Sequence, residues 1–220
     1  MSERIPVEWD QGVVTGVVEG SGGHGVLLAH GAGTDQDHPS IVGLRQGLAA
    51  GGVTVMSFNY PYTERGAKRP DSQEKLLACH RAAADRLAEM VGDLYLAGRS
   101  MGGRMGTYLA ADGYHASALI LYAYPLHPAG KPEKLRVDQF GSIEVPMLFL
   151  QGTNDALSRM ELFEEHIAPL PNAEIDLLEG AGHSPRGGGW NVESMTERYV
   201  SSSLLFIDRV SSGRSKRHRP

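Results

Sequence analysis

Leu94-Tyr95-Leu96-Ala97-Gly98-Arg99-Ser100-Met101-Gly102-Gly103-Arg104 carries an apolar run into a segment of helical pattern through a serine set among glycines. Gly98, Ser100 and Gly102 match G-x-S-x-G, the pattern of a sharp strand-to-helix turn with a serine hydroxyl exposed at its apex. A serine held in strained backbone brings the residues two places to either side into close contact, which leaves room for a hydrogen and none for a Cβ. Gly103 adds a third small residue where the helix passes close to the strand. A Gly-rich turn with an incidental serine is the competing reading, and the surroundings decide between the two.

Working outward, Val26-Leu27-Leu28-Ala29 is apolar without alternation, as a central parallel strand covered on both faces should be. A helix over residues 41–50, closed by Gly51-Gly52, and a strand over 53–58 follow. Asp71-Ser72-Gln73-Glu74 starts a helix with apolar positions at Leu76, Leu77, Ala84, Leu87 and Met90. Beyond the turn come a helix over 103–111, strands over 118–122 and 145–151, a helix over 159–167, a last strand over 174–178 and a closing helix over 193–210. Regular alternation with two-sided apolar strands predicts an α/β fold, a mostly parallel central sheet with helices on both faces. Residues 12–18, β-branched and glycine-rich, read as a short strand or hairpin at the sheet edge. Gly20, Gly22 and Gly25 satisfy G-x-G-x-x-G, but a strand follows instead of a helix, so a dinucleotide site is rejected and the glycines are assigned to a loop.

With 220 residues, 41% of them hydrophobic, the chain is long enough for one well-filled core, and a single domain over residues 1–210 is expected. A net charge of −5 gives no general attraction for nucleic acid or an acidic membrane, and no run approaches the length of a membrane span. Neither is expected as a partner, and the chain is expected to be cytoplasmic. The single cysteine, Cys79, lies in a helical pattern and reads as a small buried apolar residue. Residues 211–220, rich in Ser, Lys, Arg and His, read as a disordered basic tail. Oligomeric state is not legible.

A serine in such a turn needs a base and a group to orient the base, each placed in a loop after a later strand. Asp155 follows its strand through Gly152-Thr153-Asn154, and His183 follows the next through Glu179-Gly180-Ala181-Gly182. Asp138, Glu161 and Glu179 sit on the wrong side of their strands or one strand too late. His166 lies on a helix face and His127 in a proline-rich loop, both read as structural or surface histidines. The developing oxyanion needs two backbone N–H groups: one belongs to Met101, after the serine, and the other is placed at Ala32 in His30-Gly31-Ala32-Gly33, with His30 bracing that loop. The nine histidines offer no H-x-x-x-H pair, so no metal and no cofactor is expected.

His30-Gly31-Ala32-Gly33 with His38-Pro39, Phe58-Asn59-Tyr60-Pro61-Tyr62, Gly98-Arg99-Ser100-Met101-Gly102-Gly103-Arg104, Tyr124-Pro125-Leu126-His127-Pro128-Ala129-Gly130-Lys131-Pro132-Glu133-Lys134-Leu135-Arg136 and Gln151-Gly152-Thr153-Asn154-Asp155 together carry a resemblance over residues 26–185. The chain resembles an α/β-hydrolase of the small, uncapped, dienelactone-hydrolase-like type. More narrowly it is similar to bacterial hydrolase-like proteins related to the testis-expressed and non-specific-lethal-complex proteins of animals. The resemblance implies the α/β-hydrolase fold without a cap domain and a triad of Ser100, Asp155 and His183. It implies little about substrate, and since dienelactone hydrolases usually carry a cysteine nucleophile, Ser100 argues against dienelactone. The expected activity is that of a serine hydrolase on a small ester, carboxylesterase-like, or a thioester, through an acyl-enzyme. The alternative is a catalytically idle scaffold or binding protein on the same fold.

Overall fold

The structure, a computed structural model, describes residues 2–185 and 188–217. Eight strands form one sheet in the order β1-β2-β4-β3-β5-β6-β7-β8. They are β1 (Glu3–Trp9), β2 (Gly12–Glu19), β3 (His24–Ala29), β4 (Thr54–Phe58), β5 (Asp93–Arg99), β6 (Ala118–Tyr122), β7 (Met147–Gly152) and β8 (Ala173–Leu178). β1 and β2 pair antiparallel, as do β2 and β4, and every pair from β4 to β8 is parallel. The helices are α1 (Pro39–Ala50), α2 (Pro61–Glu64), α3 (Gln73–Ala88), α4 (Met101–Ala111), α5 (Met160–His166) and α6 (Val192–Arg217).

Alternation along the central strands divides the core into two layers. Leu27, Met56, Leu96, Leu121 and Phe149 face α3, α4 and α5, where Cys79, Leu87, Met105 and Phe163 meet them. Leu28, Val55, Ala97, Ile120 and Leu150 face α1 and α6, where Ile41, Leu48, Tyr199 and Phe206 meet them. Gly43 and Gly47 of α1, with Gly51 just past its end, form a stripe against Thr196, Val200 and Leu204 of α6; a Cβ on Gly51 would lie 2.3 Å from Leu204 Cδ1. The stripe sets how closely the two helices approach.

Three expectations are corrected. Residues 12–19 are not at the edge, because β1, which sequence reading missed, pairs outside them. Gly25 belongs to β3 and not to the preceding loop. The last helix runs on to Arg217, through most of the stretch expected to be a disordered tail, and residues 218–220 lie outside the described residues.

The chain passes from β3 outward to β4, then returns to β5 on the other side of β3. The strand order therefore reverses between β3 and β5, and a crevice opens at their carboxyl ends, the place where open sheets of this kind gather ligands. Ala29 and Gly98 are register partners there, so the loop after β3 and the turn after β5 leave the sheet side by side.

Candidate active site

Ser100 stands at the end of β5 with φ 52° and ψ −115°, one of two non-glycine residues with positive φ among those described. Such a conformation costs on the order of 1–3 kcal/mol and persists only where the surroundings enforce it. They do: Ser100 N–H donates to Tyr122 O at 2.9 Å, continuing the ladder to β6, and its carbonyl receives Arg104 N–H at 3.1 Å as α4 begins. The glycines allow the rest. A Cβ on Gly98 would lie 2.4 Å from Gly102 C, and one on Gly102 would lie 2.4 Å from Ala29 O.

Three side chains expected from the sequence converge. Ser100 Oγ is 2.9 Å from His183 Nε2, and His183 Nδ1 is 2.8 Å from Asp155 Oδ2. The Asp155 side chain is fully buried, while that of His183 is 21% exposed, so of the pair only the imidazole is open to solvent. Gln151 Nε2 also donates to Asp155 Oδ2, at 2.8 Å, and Leu157 N–H donates to Oδ1 at 2.8 Å. Each carboxylate oxygen thus has a donor besides the histidine, which fixes the plane in which Asp155 presents itself. The loops after β7 and β8 are joined by Asn154 N–H to Ala181 O at 2.9 Å and Gly180 N–H to Thr153 Oγ1 at 2.8 Å.

The expected oxyanion donors, Ala32 and Met101, are oriented by their own peptide units. Gly31 O is held by Thr34 Oγ1 at 2.9 Å, His30 Nδ1 at 2.8 Å and Tyr62 OH at 3.5 Å. In a trans peptide C=O and N–H point in opposite directions, so the Ala32 N–H is turned away from these donors. Met101 N–H lies in the first turn of α4, where no helical carbonyl can receive it, and points out of the helix end with the positive end of its dipole. A Cβ on Gly31 would be 3.6 Å from Ser100 Cβ, which places the loop directly against the serine.

His30 braces that loop. It is completely buried, with Nδ1 toward Gly31 O and Nε2 accepting from Tyr60 N–H at 3.3 Å, and burial lowers its pKa to about 4. His127 is likewise buried, between Pro128 O and Arg159 N–H. His166 faces Glu165 on α5. Cys79 is buried in the core, and burial pushes its thiol pKa up. No group of three His, Cys, Asp or Glu among the described residues is arranged to hold a metal ion.

Sequence reading missed Arg99. Its Nη2 donates to the carbonyl of His183 at 2.6 Å, tying the histidine's own backbone to the residue before the serine. Arg99 is half-buried, and that burial lowers its pKa. The role of Gln151 was missed as well. The connection from β6 to β7 contains one short 3-10 turn, Phe140–Ser142, and no cap over the crevice.

The fold recurs in solved structures. Est1E from Butyrivibrio proteoclasticus is 17% identical, with a TM-score of 0.75 over 93% of this chain and 99% of that one. An alpha-beta serine hydrolase homologue from Coxiella burnetii is 18% identical, with a TM-score of 0.73 over 91% and 96%. XC6422 from Xanthomonas campestris, described as a serine hydrolase without lid, is 17% identical, with a TM-score of 0.70 over 95% and 93%. A family model, the alpha/beta hydrolase domain, matches residues 23–203. With its uncapped crevice, mostly parallel sheet and strained Ser100 turn, the chain belongs to the α/β-hydrolase family.

Proposed function

We propose that this chain is a serine hydrolase of small esters or thioesters, with Ser100 as nucleophile, His183 as general base and acid, and Asp155 as the group that orients the histidine. The hydrogen-bonded line from Ser100 through His183 to Asp155 is the observation that carries the reading. The Ser100 hydroxyl gives its proton to His183 Nε2 as Oγ bonds to the carbonyl carbon. The carbonyl oxygen becomes an oxyanion that the N–H groups of Ala32 and Met101 receive. The bond to the leaving oxygen or sulfur then breaks, and His183 returns the proton to it, leaving an acyl-serine. Water repeats the sequence, giving its proton to His183, and collapse of the second intermediate releases the acid and restores the hydroxyl. The absence of a cap supports a preference for short acyl chains. The reading extends to a cytoplasmic enzyme acting as one domain on a single sheet.

A fluorophosphonate probe tests this without knowledge of the substrate, because its tetrahedral phosphorus resembles the intermediate. The adduct is expected at Ser100, absent in Ser100→Ala and strongly reduced in His183→Ala, with circular dichroism showing each variant folded. Asp155→Asn is expected to slow labelling by about 10³–10⁴ through loss of the correct tautomer. A folded wild-type protein that takes no label, where a known serine esterase is fully labelled, sinks the reading in favour of a scaffold.

A further inference from the structure

We propose that the substrate carries a carboxylate on its acyl part, held by Arg104 and Arg136 beside Ser100. The inference rests on the hydrolase reading above and narrows it to half-esters or half-thioesters of dicarboxylic acids.

Arg104 lies one helical turn beyond Ser100, with its N–H on the Ser100 carbonyl at 3.1 Å. Side chains of a helix lean toward its N-terminus, and residues four apart stack on one face about 5–6 Å apart at Cβ, so Arg104 covers the turn that carries the serine. Arg136 comes from the connection after β6, where its N–H donates to Leu126 O at 2.9 Å, four residues past the carboxyl end of that strand. A continuous polar chain fixes it to α4. Thr107 Oγ1 donates to Arg104 O at 2.7 Å, and Gln139 Nε2 donates to Thr107 Oγ1 at 3.0 Å and to Tyr124 OH at 2.7 Å. Tyr124 OH donates in turn to Arg136 O at 2.8 Å.

Neither guanidinium meets a carboxylate among the described residues. Elsewhere arginines rest on acids, as Arg45 does on Glu19 at 3.2 Å and Arg198 on Asp176 at 2.5 Å. Arg104 Nε is buried without a hydrogen-bond partner, and the side chain of Arg136 reaches only Pro125 O, at 3.4 Å. Burial, and after it the like charge of Arg104, lower the pKa of Arg136. Two partly buried cations held near one another are costly unless an anion joins them, and the guanidinium fork matches a carboxylate with two parallel hydrogen bonds.

The acyl side follows from the triad. The leaving group must depart next to His183 Nε2, which reprotonates it, and His183 belongs to the loop after β8. Arg136 is tied to Tyr124, just past β6, whereas His183 follows β8, and β7 stands between those two strands, so the arginine side lies away from the histidine.

The test compares the mono-4-nitrophenyl ester of adipic acid with 4-nitrophenyl hexanoate. Wild-type kcat/KM is expected to favour the adipate at least tenfold. Arg104→Gln and Arg136→Gln are each expected to bring that ratio down about tenfold, with Arg136→Lys retaining part of it. The ratio is an internal measure, so a partly unfolded variant does not imitate the effect. A wild-type ratio at or below one, in protein whose Ser100 accepts the fluorophosphonate, overturns the anion subsite and leaves the hydrolase reading standing. A preference shown instead for aryl acetates with a carboxylate on the phenol overturns the acyl placement. If wild-type protein takes no label, the hydrolase reading fails by itself. Calorimetric titration of folded Ser100→Ala with adipate then decides the subsite, which is overturned if adipate does not bind or binds unchanged in the added presence of Arg136→Gln.

Discussion

Lowering the pH from 7 to 5 is expected to remove about 4 kcal/mol of folding stability through two histidines beneath the crevice, His30 and His80. Both are completely buried, and each uses a ring nitrogen in a way that suits the neutral form: His30 Nε2 accepts from Tyr60 N–H, and His80 Nδ1 lies 2.9 Å from Tyr60 OH. Burial lowers their pKa values to about 4 and about 3, the charge of His30 adding to the effect on His80. In the unfolded chain a histidine titrates near ~6.5. The folded values lie below the unfolded one, so below pH ~6.5 the unfolded state binds protons that the folded state refuses, and stability falls as pH falls. At pH 5, about 1.5 units below the unfolded pKa, each histidine has withdrawn about 2 kcal/mol at about 1.36 kcal/mol per unit. The window from pH 6.5 to 5 precedes most carboxylate titration. Urea unfolding followed by circular dichroism reads the effect directly: with m near ~2 kcal/mol/M, the midpoint should drop by about 2 M. His80→Gln should halve the slope of stability against pH. A midpoint that stays level from pH 7 to 5 at constant m, or a full slope in His80→Gln, would refute the reasoning.

Gly102→Ala places a Cβ 2.4 Å from Ala29 O and 2.6 Å from Ala29 C, backbone atoms that cannot swing aside, so a loss of about 3 kcal/mol in urea unfolding is expected together with loss of Ser100 labelling. Arg99→Met keeps the buried stem but removes the bond to His183 O, a charge-assisted bond of about 1.5–3 kcal/mol; labelling and kcat should fall at least tenfold with KM little changed, and Arg99→Lys should recover part of the rate. Equal labelling rates in Arg99→Met and wild type would remove Arg99 as a positioning residue. Across neutral 4-nitrophenyl esters, kcat/KM is expected to decline from short acyl chains to palmitoyl, and a steady climb would contradict an uncapped site.

What the sequence disclosed and what it hid divide along a physical line. Central parallel strands such as Val26-Leu27-Leu28-Ala29 are apolar on both faces and announce themselves locally, and the turn at Ser100 does so because backbone contact forbids a Cβ at Gly98 and Gly102. β1 escaped because only Ile5 and Val7 point inward while Pro6 interrupts the pattern, which a strand at the edge of a sheet tolerates. The last turns of α6 escaped because composition without apolar residues reads as disorder, whereas extending a helix already nucleated by packing costs little per residue. Convergence of Ser100, Asp155 and His183 was legible because strand order limits where loops can meet. The bond from Arg99 to His183 O joins positions 84 residues apart through one guanidinium, and it depends on a distance that no local pattern records. The same holds for Arg104 and Arg136, whose significance lies in the carboxylate that neither of them meets.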